Sequence, residues 1–249
     1  LVIVILVLFV VWDLVIGFND MKARISEVFH SIQGEGKYTG REQVFVRFFG
    51  CNIRCAWCDT PNAIGDTARP YQEYGLEALL AEVRDLWPGC HSVSLTGGEP
   101  LVQKDFIKEL LPSLKKEGMR SYLDTNGVLD RHLAGIIDDV DIVAMDFKLP
   151  SSTKCRPYWE EHAAFLRIAR QKEVFVKAVV SSDTAQEDIA RCVELVAGVD
   201  PNIPFILQPN YFERQNGALD RCLDYQDYCR QYLADVKVMS QMHKVWKIR

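Results

Sequence analysis

The segment Cys51-Asn52-Ile53-Arg54-Cys55-Ala56-Trp57-Cys58 places three cysteines within eight residues. Three thiolates on one loop can hold three irons of a cubic four-iron, four-sulfur (4Fe-4S) cluster. Such cubes are normally held by four cysteines. No fourth Cys or His lies nearby in the sequence, so one iron keeps an open site for a substrate or cofactor. A centre of that kind is built for chemistry and not only for electron storage. Zinc is the competing reading, but structural zinc sites need four protein ligands, usually in two pairs. The other cysteines, Cys90, Cys155, Cys192, Cys222 and Cys229, are dispersed and supply no second C-x2-C pair. The cluster is therefore the favoured reading. Cys222 and Cys229 stand seven apart in a helical pattern, a spacing read as shared core packing. Eight cysteines in 249 residues are too few for a small disulfide scaffold.

Short β-rich runs alternate with amphipathic helices from Glu42 onward. The expected strands are Gln43–Phe48, His91–Leu95, Ser121–Asp124, Asp141–Asp146, Val174–Val180, Pro204–Leu207 and Val236–Met239. Helical spacing is expected over Leu76–Leu86, Asp105–Lys116, Asp130–Ile137, Tyr158–Gln171, Ala185–Val196 and Ala218–Leu233. Near-continuously apolar strands alternating with helices predict a parallel sheet covered by helices. Six such units are too few to close an eight-stranded barrel, so the expected fold is α/β, an open partial (βα)6 TIM-like barrel. Every polar cluster falls at the C-terminal end of its strand, where barrel enzymes keep their active sites. Turn residues collect there in any α/β protein. Only their union with the cysteine loop makes them informative.

Length and charge bound the rest. The chain of 249 residues has a net charge of −5 and no long basic run, which disfavours direct nucleic-acid binding. Residues 1–20 form an apolar N-terminal extension, LVIVILVLFVVWDLVIGF over Leu1 to Phe18, near the minimum length for a membrane span. Lys22 and Arg24 follow it, which would put the remainder on the cytoplasmic side. It lacks the charged start and cleavage site of a secretory signal. The favoured expectation is a gene-start artefact ahead of a soluble, cytoplasmic protein beginning near Met21, with a genuine anchor as the alternative. Residues 21–249 are then expected to form a single catalytic domain.

Several motifs invite a ligand. In Thr96-Gly97-Gly98-Glu99-Pro100, two glycines let the backbone approach a bound molecule without a Cβ clash, although an ordinary βα turn also uses Gly-Gly. Ser31-Ile32-Gln33-Gly34-Glu35-Gly36 offers donors and acceptors suited to the amide-like edge of a heterocycle, or it is a plain loop. Arg47 interrupts an apolar strand, which is costly unless the charge is paired. Its guanidinium suits a bidentate carboxylate, on a ligand or within the protein. Asp59-Thr60 could ligate a hard cation such as Mg2+, or cap the next turn.

Taken in order, Ser-Ile-Gln-Gly-Glu-Gly, Phe-Val-Arg, Gly-Cys-Asn-Ile-Arg-Cys-Ala-Trp-Cys-Asp-Thr and Thr-Gly-Gly-Glu-Pro resemble the 7-carboxy-7-deazaguanine synthase family of the radical S-adenosylmethionine superfamily. The likeness covers roughly Ile25 to Arg249 and is tightest through Pro100. It implies a modified radical S-adenosylmethionine barrel that contracts the ring of 6-carboxy-5,6,7,8-tetrahydropterin to 7-carboxy-7-deazaguanine with loss of ammonia, a step toward queuosine-type tRNA bases. The reduced cluster would cleave S-adenosyl-L-methionine to a radical that takes hydrogen from C6, and the cofactor would be regenerated. On this resemblance Cys51, Cys55 and Cys58 bind the 4Fe-4S cluster and Thr60 binds Mg2+. Ile32, Gln33, Gly34, Glu35, Arg47 and Thr96 contact the pterin. Trp57, Gly98, Asp146, Phe147, Lys148 and the segment Gln208, Pro209, Asn210 contact the cofactor, while His243 and Lys244 join the site from the tail. No side chain is assigned a catalytic role, because cluster and cofactor carry the radical chemistry. An electron donor such as flavodoxin or ferredoxin and a homodimer are also implied. Asp124-Thr125-Asn126-Gly127 and Asp146-Phe147-Lys148 also resemble the glycyl-radical activating enzymes, a rival with a different substrate. A non-catalytic iron–sulfur or zinc protein is the rival of another class.

Overall fold

The computed structural model describes residues 21–65 and 71–248. The apolar stretch over residues 1–20, and with it the choice between artefact and anchor, lies outside the described residues. Among those described, no helix is long and apolar enough to cross a membrane.

In chain order the principal elements are β1 (Ala23–Ile32), β2 (Glu42–Phe48), β3 (Gln72–Tyr74), α1 (Leu76–Asp85), β4 (Ser92–Gly97), α2 (Lys104–Lys116), β5 (Ser121–Thr125), α3 (Asp130–Ala134) and β6 (Ile142–Phe147). They continue with α4 (Pro150–Thr153), α5 (Trp159–Ala169), β7 (Glu173–Val180), α6 (Gln186–Val199), β8 (Phe205–Pro209), α7 (Leu219–Cys229), β9 (Val236–Val238) and α8 (Met242–Trp246). Among the described residues nine strands form one sheet in the order β3-β1-β2-β4-β5-β6-β7-β8-β9. From β2 through β9 every neighbouring pair is parallel. The sheet is not closed, as the expected partial barrel requires.

The seven expected strands and six expected helices are all present, within a few residues of their expected ends. Strands β1 and β3, joined to the sheet by antiparallel pairing, are additions that the sequence pattern does not predict. The reason is visible in β1. A bulge between Ile25 and Glu27 shifts its register against β2, so Ala23 and Ile25 pack into the large core, but beyond the bulge it is Val28 that does so while Phe29 lines the opposite, cleft side. A bulge adds one residue and breaks the period-two alternation by which strands are recognised. The Ser31-Ile32 pair, expected in a loop-like stretch, ends this strand.

Two apolar layers follow. Strands β6 and β7 are buried along nearly their whole length, as parallel strands under helices must be. Val143, Val176 and Leu207 pack with Leu110, Leu166 and Val193 of the helices in one large core, which Cys222 and Cys229 join. On the other face, Tyr122, Ile142, Ala144, Phe175 and Ile206 form a second, small cluster against Tyr38. These residues belong to the N-terminal halves of their strands, so the plug leaves the C-terminal ends free to line a cleft.

Candidate active site

The cleft spans about 1300 Å³ when counted out to its open mouth. Of the residues singled out from the sequence, Ile32, Gln33, Gly34, Glu35, Arg47 and Thr96 line it, and so do Cys51, Cys55, Cys58, Trp57, Thr60 and Gly98. Asp146, Lys148, Gln208, Asn210 and His243 are in the same wall. Phe147 and Pro209 are not. The Phe147 ring turns into the core against His162, at a centroid separation of 4.7 Å, and Pro209 ends β8 as a buried residue. Lys244 stands just outside the lining and reaches back to Asp59 at 2.8 Å.

The cysteine loop is held from three sides. Gly50 N donates to the Ala63 carbonyl at 2.7 Å, and Glu99 N donates to the Gly50 carbonyl at 2.8 Å. Ala56 N donates to the Thr153 carbonyl at 2.8 Å, while Trp57 Nε1 donates to Ser152 Oγ at 2.9 Å. Asn126 Nδ2 reaches Asn52 Oδ1 at 2.8 Å from the end of β5. Gly98 must be glycine here, because a Cβ would collide with the Gly50 carbonyl oxygen and stand 2.6 Å from that of Ala63. Glu99 is fully buried and accepts from Leu101 N, Thr125 Oγ1 and Asn126 N at 2.8–3.1 Å. Burial pushes its carboxyl up to about 7 against the pull of those hydrogen bonds. Cys155, one of the dispersed cysteines in the sequence, is set behind the loop by the fold, its Sγ donating to the Arg54 carbonyl at 3.1 Å.

The donor set fits a cluster and a cofactor. Cys51, Cys55 and Cys58 are free thiols, all partly buried and all in the cleft wall. Burial pushes the Cys55 thiol up to about 12 and raises that of Cys51. Thiols so placed keep their protons near neutral pH, and a metal that takes thiolates displaces them. Two buried acceptors in the same cleft, Asp146 Oδ1 and Gln208 Oε1, have no hydrogen-bond partner among the described residues. Buried polar atoms are rarely left so; ligand hydroxyl or amine donors would satisfy both. Lys148 Nζ donates to the other Asp146 oxygen at 2.7 Å and lies 5.3 Å from the Trp57 ring centroid. Burial works against the Lys148 charge, but the Asp146 carboxylate beside it holds the ammonium well above the ordinary lysine range.

Elsewhere in the same wall the polar groups are mutually ordered. The Gln33 amide, expected to read a heterocycle edge, is engaged internally: Nε2 donates to Gln43 Oε1 at 3.0 Å, and Oε1 accepts from Glu35 N at 3.0 Å. What Gln33 orders is the backbone that carries Gly34 and Glu35. Gly34 has no room for a Cβ, which would lie 2.5 Å from His243. Arg47 has the carboxylate partner within the protein that its place in an apolar strand leads one to expect, since Nε donates to Glu27 Oε1 at 2.6 Å, and the residue also lines the cleft. Thr96 Oγ1 donates to Asp124 Oδ2 at 2.9 Å. Thr60 Oγ1 donates to Asp59 Oδ1 at 3.2 Å, and Asp59 Oδ2 accepts from Gln241 Nε2 and Lys244 Nζ, both at 2.8 Å. A hydroxyl beside a carboxylate is an oxygen donor set that suits Mg2+. Glu35, Asp59 and His243 offer atoms within 4.8 Å of one another. The two carboxylates of that group already carry ammonium partners, Lys177 and Lys244.

Asp124, Lys177 and Gln241 also line the cleft, and the sequence motifs assign none of them a role. Lys177 carries a usable signal, a single charge in the apolar run Val174–Val180, the same feature that marks Arg47. Gln241 has no spacing that ties it to Glu35, because only folding brings the tail back to that residue.

An open parallel barrel whose first parallel strand leads into three free thiols, beside a Gly-Gly-Glu-Pro turn, defines the radical S-adenosylmethionine class. Residues 45–193 match the Radical SAM superfamily. The chain is 39% identical to the 7-carboxy-7-deazaguanine synthase of Geobacter sulfurreducens, over 89% of this chain and 96% of that protein. It is 34% identical to the one from Methanothermobacter thermautotrophicus, over 92% and 99% respectively. The chain belongs to the 7-carboxy-7-deazaguanine synthase family. Among solved structures, QueE from Escherichia coli shares the fold with a TM-score of 0.60 at 22% identity, covering 89% of this chain and 94% of that one. TYW1 with a lysine-pyruvate adduct shares it with a TM-score of 0.54 at 16% identity, covering 77% and 74%. The relatives favour the pterin family over the glycyl-radical activating enzymes. Asn126, part of the motif shared with the latter, is engaged in bonds to Asn52, Glu99 and Val128.

Proposed function

We propose that this chain is a 7-carboxy-7-deazaguanine synthase, contracting the ring of 6-carboxy-5,6,7,8-tetrahydropterin with release of ammonia. The observation that carries the reading is one cleft that brings together three free thiols, two unpartnered buried acceptors and the ordered side chains of Glu35 and Arg47. Family membership supports it independently.

In this reading Cys51, Cys55 and Cys58 hold a 4Fe-4S cluster, and the walls at Trp57, Gly98, Asp146, Lys148, Gln208 and Asn210 hold S-adenosyl-L-methionine. Phe147 and Pro209 contribute main chain only. Bound together, cluster and cofactor supply radical hydrogen abstraction. The protein orients the substrate and excludes water. Arg47 takes the substrate carboxylate, which it can do while keeping Glu27, because a guanidinium has five donors. Thr60 supplies a hydroxyl to Mg2+. Glu35 and the backbone from Ile32 to Gly34 face the pyrimidinone edge, with Thr96 and His243 beside them. Lys244 keeps Asp59 in place. Residues 21–249 act as one domain in the cytoplasm, fed by a one-electron donor such as flavodoxin or ferredoxin, and pair as a homodimer.

Anaerobic reconstitution with iron and sulfide, then reduction in the presence of cofactor and the carboxytetrahydropterin, tests the reading. The expected results are a cubane electron paramagnetic resonance signal and a product with the mass of 7-carboxy-7-deazaguanine. A reconstituted, reduced protein that leaves the pterin intact overturns it.

A further inference from the structure

Lys177 belongs to no motif in the sequence, yet it lines the cleft. It lies on β7 among Val174, Phe175, Val176, Ala178 and Val179, and it is only 7% exposed. Burying an ammonium is expensive unless carboxylates surround it. Three do: Nζ is hydrogen-bonded to Glu35 Oε2, stands 3.8 Å from Asp146 Oδ2, and feels the charge of Asp124. Asp146 already has Lys148, and Asp124 has the Thr96 hydroxyl. Glu35 is thus the carboxylate that Lys177 chiefly serves.

The remaining contacts of Glu35 complete a clamp. Its Oε1 accepts from Gln241 Nε2 at 2.7 Å, and its backbone N–H donates to Gln33 Oε1 at 3.0 Å. One carboxylate oxygen is therefore held by β7 and the other by the tail, with lone pairs left over for the cleft. Burial by itself would raise the Glu35 carboxyl, but the charge and hydrogen bond of Lys177 turn the net shift downward. An ionised carboxylate is acceptor-only. It therefore matches a ligand edge that presents adjacent N–H groups, as the aminopyrimidinone of a pterin does. A protonated carboxyl would set a hydroxyl against one of those donors.

We propose that Lys177 is a positioning residue for the reaction, fixing Glu35 as an acceptor-only carboxylate aimed at the N–H edge of the pterin. The inference rests on the proposed reaction and adds to it the residue that sets recognition of the heterocycle. Lys177 acts through Glu35, which predicts both a binding effect and non-additivity with Glu35 variants.

The test compares wild type, Lys177→Met, Lys177→Arg, Glu35→Gln and the Lys177→Met/Glu35→Gln double variant, all reconstituted and loaded with iron. Calorimetry gives Kd for the carboxytetrahydropterin, and steady-state kinetics give KM and kcat separately. The expected result for Lys177→Met is Kd and KM raised at least about tenfold with kcat lowered less than about threefold, roughly the loss of one charge-assisted hydrogen bond. Lys177→Arg recovers most of that affinity. The double variant has the Kd and KM of Glu35→Gln alone. A Lys177→Met enzyme with wild-type Kd overturns the proposal, as does a double variant whose losses multiply. If Lys177→Met cannot hold its iron, the double variant, which removes both charges, still decides by comparison with Glu35→Gln. A wild-type protein that forms no deazaguanine overturns the underlying reaction, a result distinct from either failure of Lys177.

Discussion

Cys51, Cys55 and Cys58 share the cleft wall, whereas Cys155 stands behind their loop with its thiol committed to a backbone carbonyl. Substituting Ala for any of the first three is expected to abolish cluster binding, while Cys155→Ala retains it; iron analysis and electron paramagnetic resonance of each reconstituted variant check this. Arg47→Ala should raise KM for the carboxytetrahydropterin by about tenfold or more, as loss of a charge-assisted pair does, with a smaller effect on reductive cofactor cleavage. Unaltered substrate affinity would remove Arg47 from carboxylate recognition. Glu99 gives a pH prediction. Its buried carboxyl titrates near 7 against an ordinary 4.5, so the stability it contributes is complete below about 4.5 and is lost as pH rises through 7. That loss is on the order of 3 kcal/mol. Glu99→Gln should flatten this part of the stability–pH curve, measured by denaturant unfolding at a series of pH values. The slope is the readout, because the amide also disturbs the three hydrogen bonds and shifts the whole curve.

Loops after successive strands brace one another. The turn after β4 packs against the cysteine loop so closely that Gly98→Ala drives a Cβ into the Gly50 carbonyl. The expected cost is roughly 1–3 kcal/mol, together with weakened iron retention, because the displaced backbone leads directly into Cys51. Thermal unfolding and iron content of that variant would test the coupling; normal values for both would show that the two loops move independently. The alternation of strands and helices is legible in the sequence because apolar runs and helical spacing are local signals. Strand β1 is not, because its bulge interrupts the period by which a strand is recognised. The part played by Gln33 is hidden for a related reason: its amide partner Gln43 lies across the β1–β2 pairing, invisible without that strand.

The C-terminal tail returns to the loop after β1 and ties the cleft together. Met242 N donates to the Gly34 carbonyl at 2.8 Å, and Gln241 Nε2 bridges Glu35 and Asp59. One side chain thereby links the loop after β1 to the loop that follows the cysteines. Gln241→Ala should leave the barrel folded and raise KM for the pterin by about tenfold, as expected for losing roughly 1–2 kcal/mol of hydrogen bonding. Circular dichroism and steady-state kinetics together check this; a variant with wild-type KM would show that the strap does not shape substrate binding.

The order of residues along the chain settled the kind of chemistry: three soft ligands on one loop, a glycine turn to set beside it, and parallel strands to carry both. Those features are short-range, written within eight residues or one element, so no knowledge of distant neighbours is needed. How the cleft around Glu35 is charged emerged only on folding. Glu35 meets Lys177 across 142 residues of chain and Gln241 across 206. Such meetings depend on how strands curl and stack, and the cost of burying an ion without its partner makes them binding only once the barrel has formed.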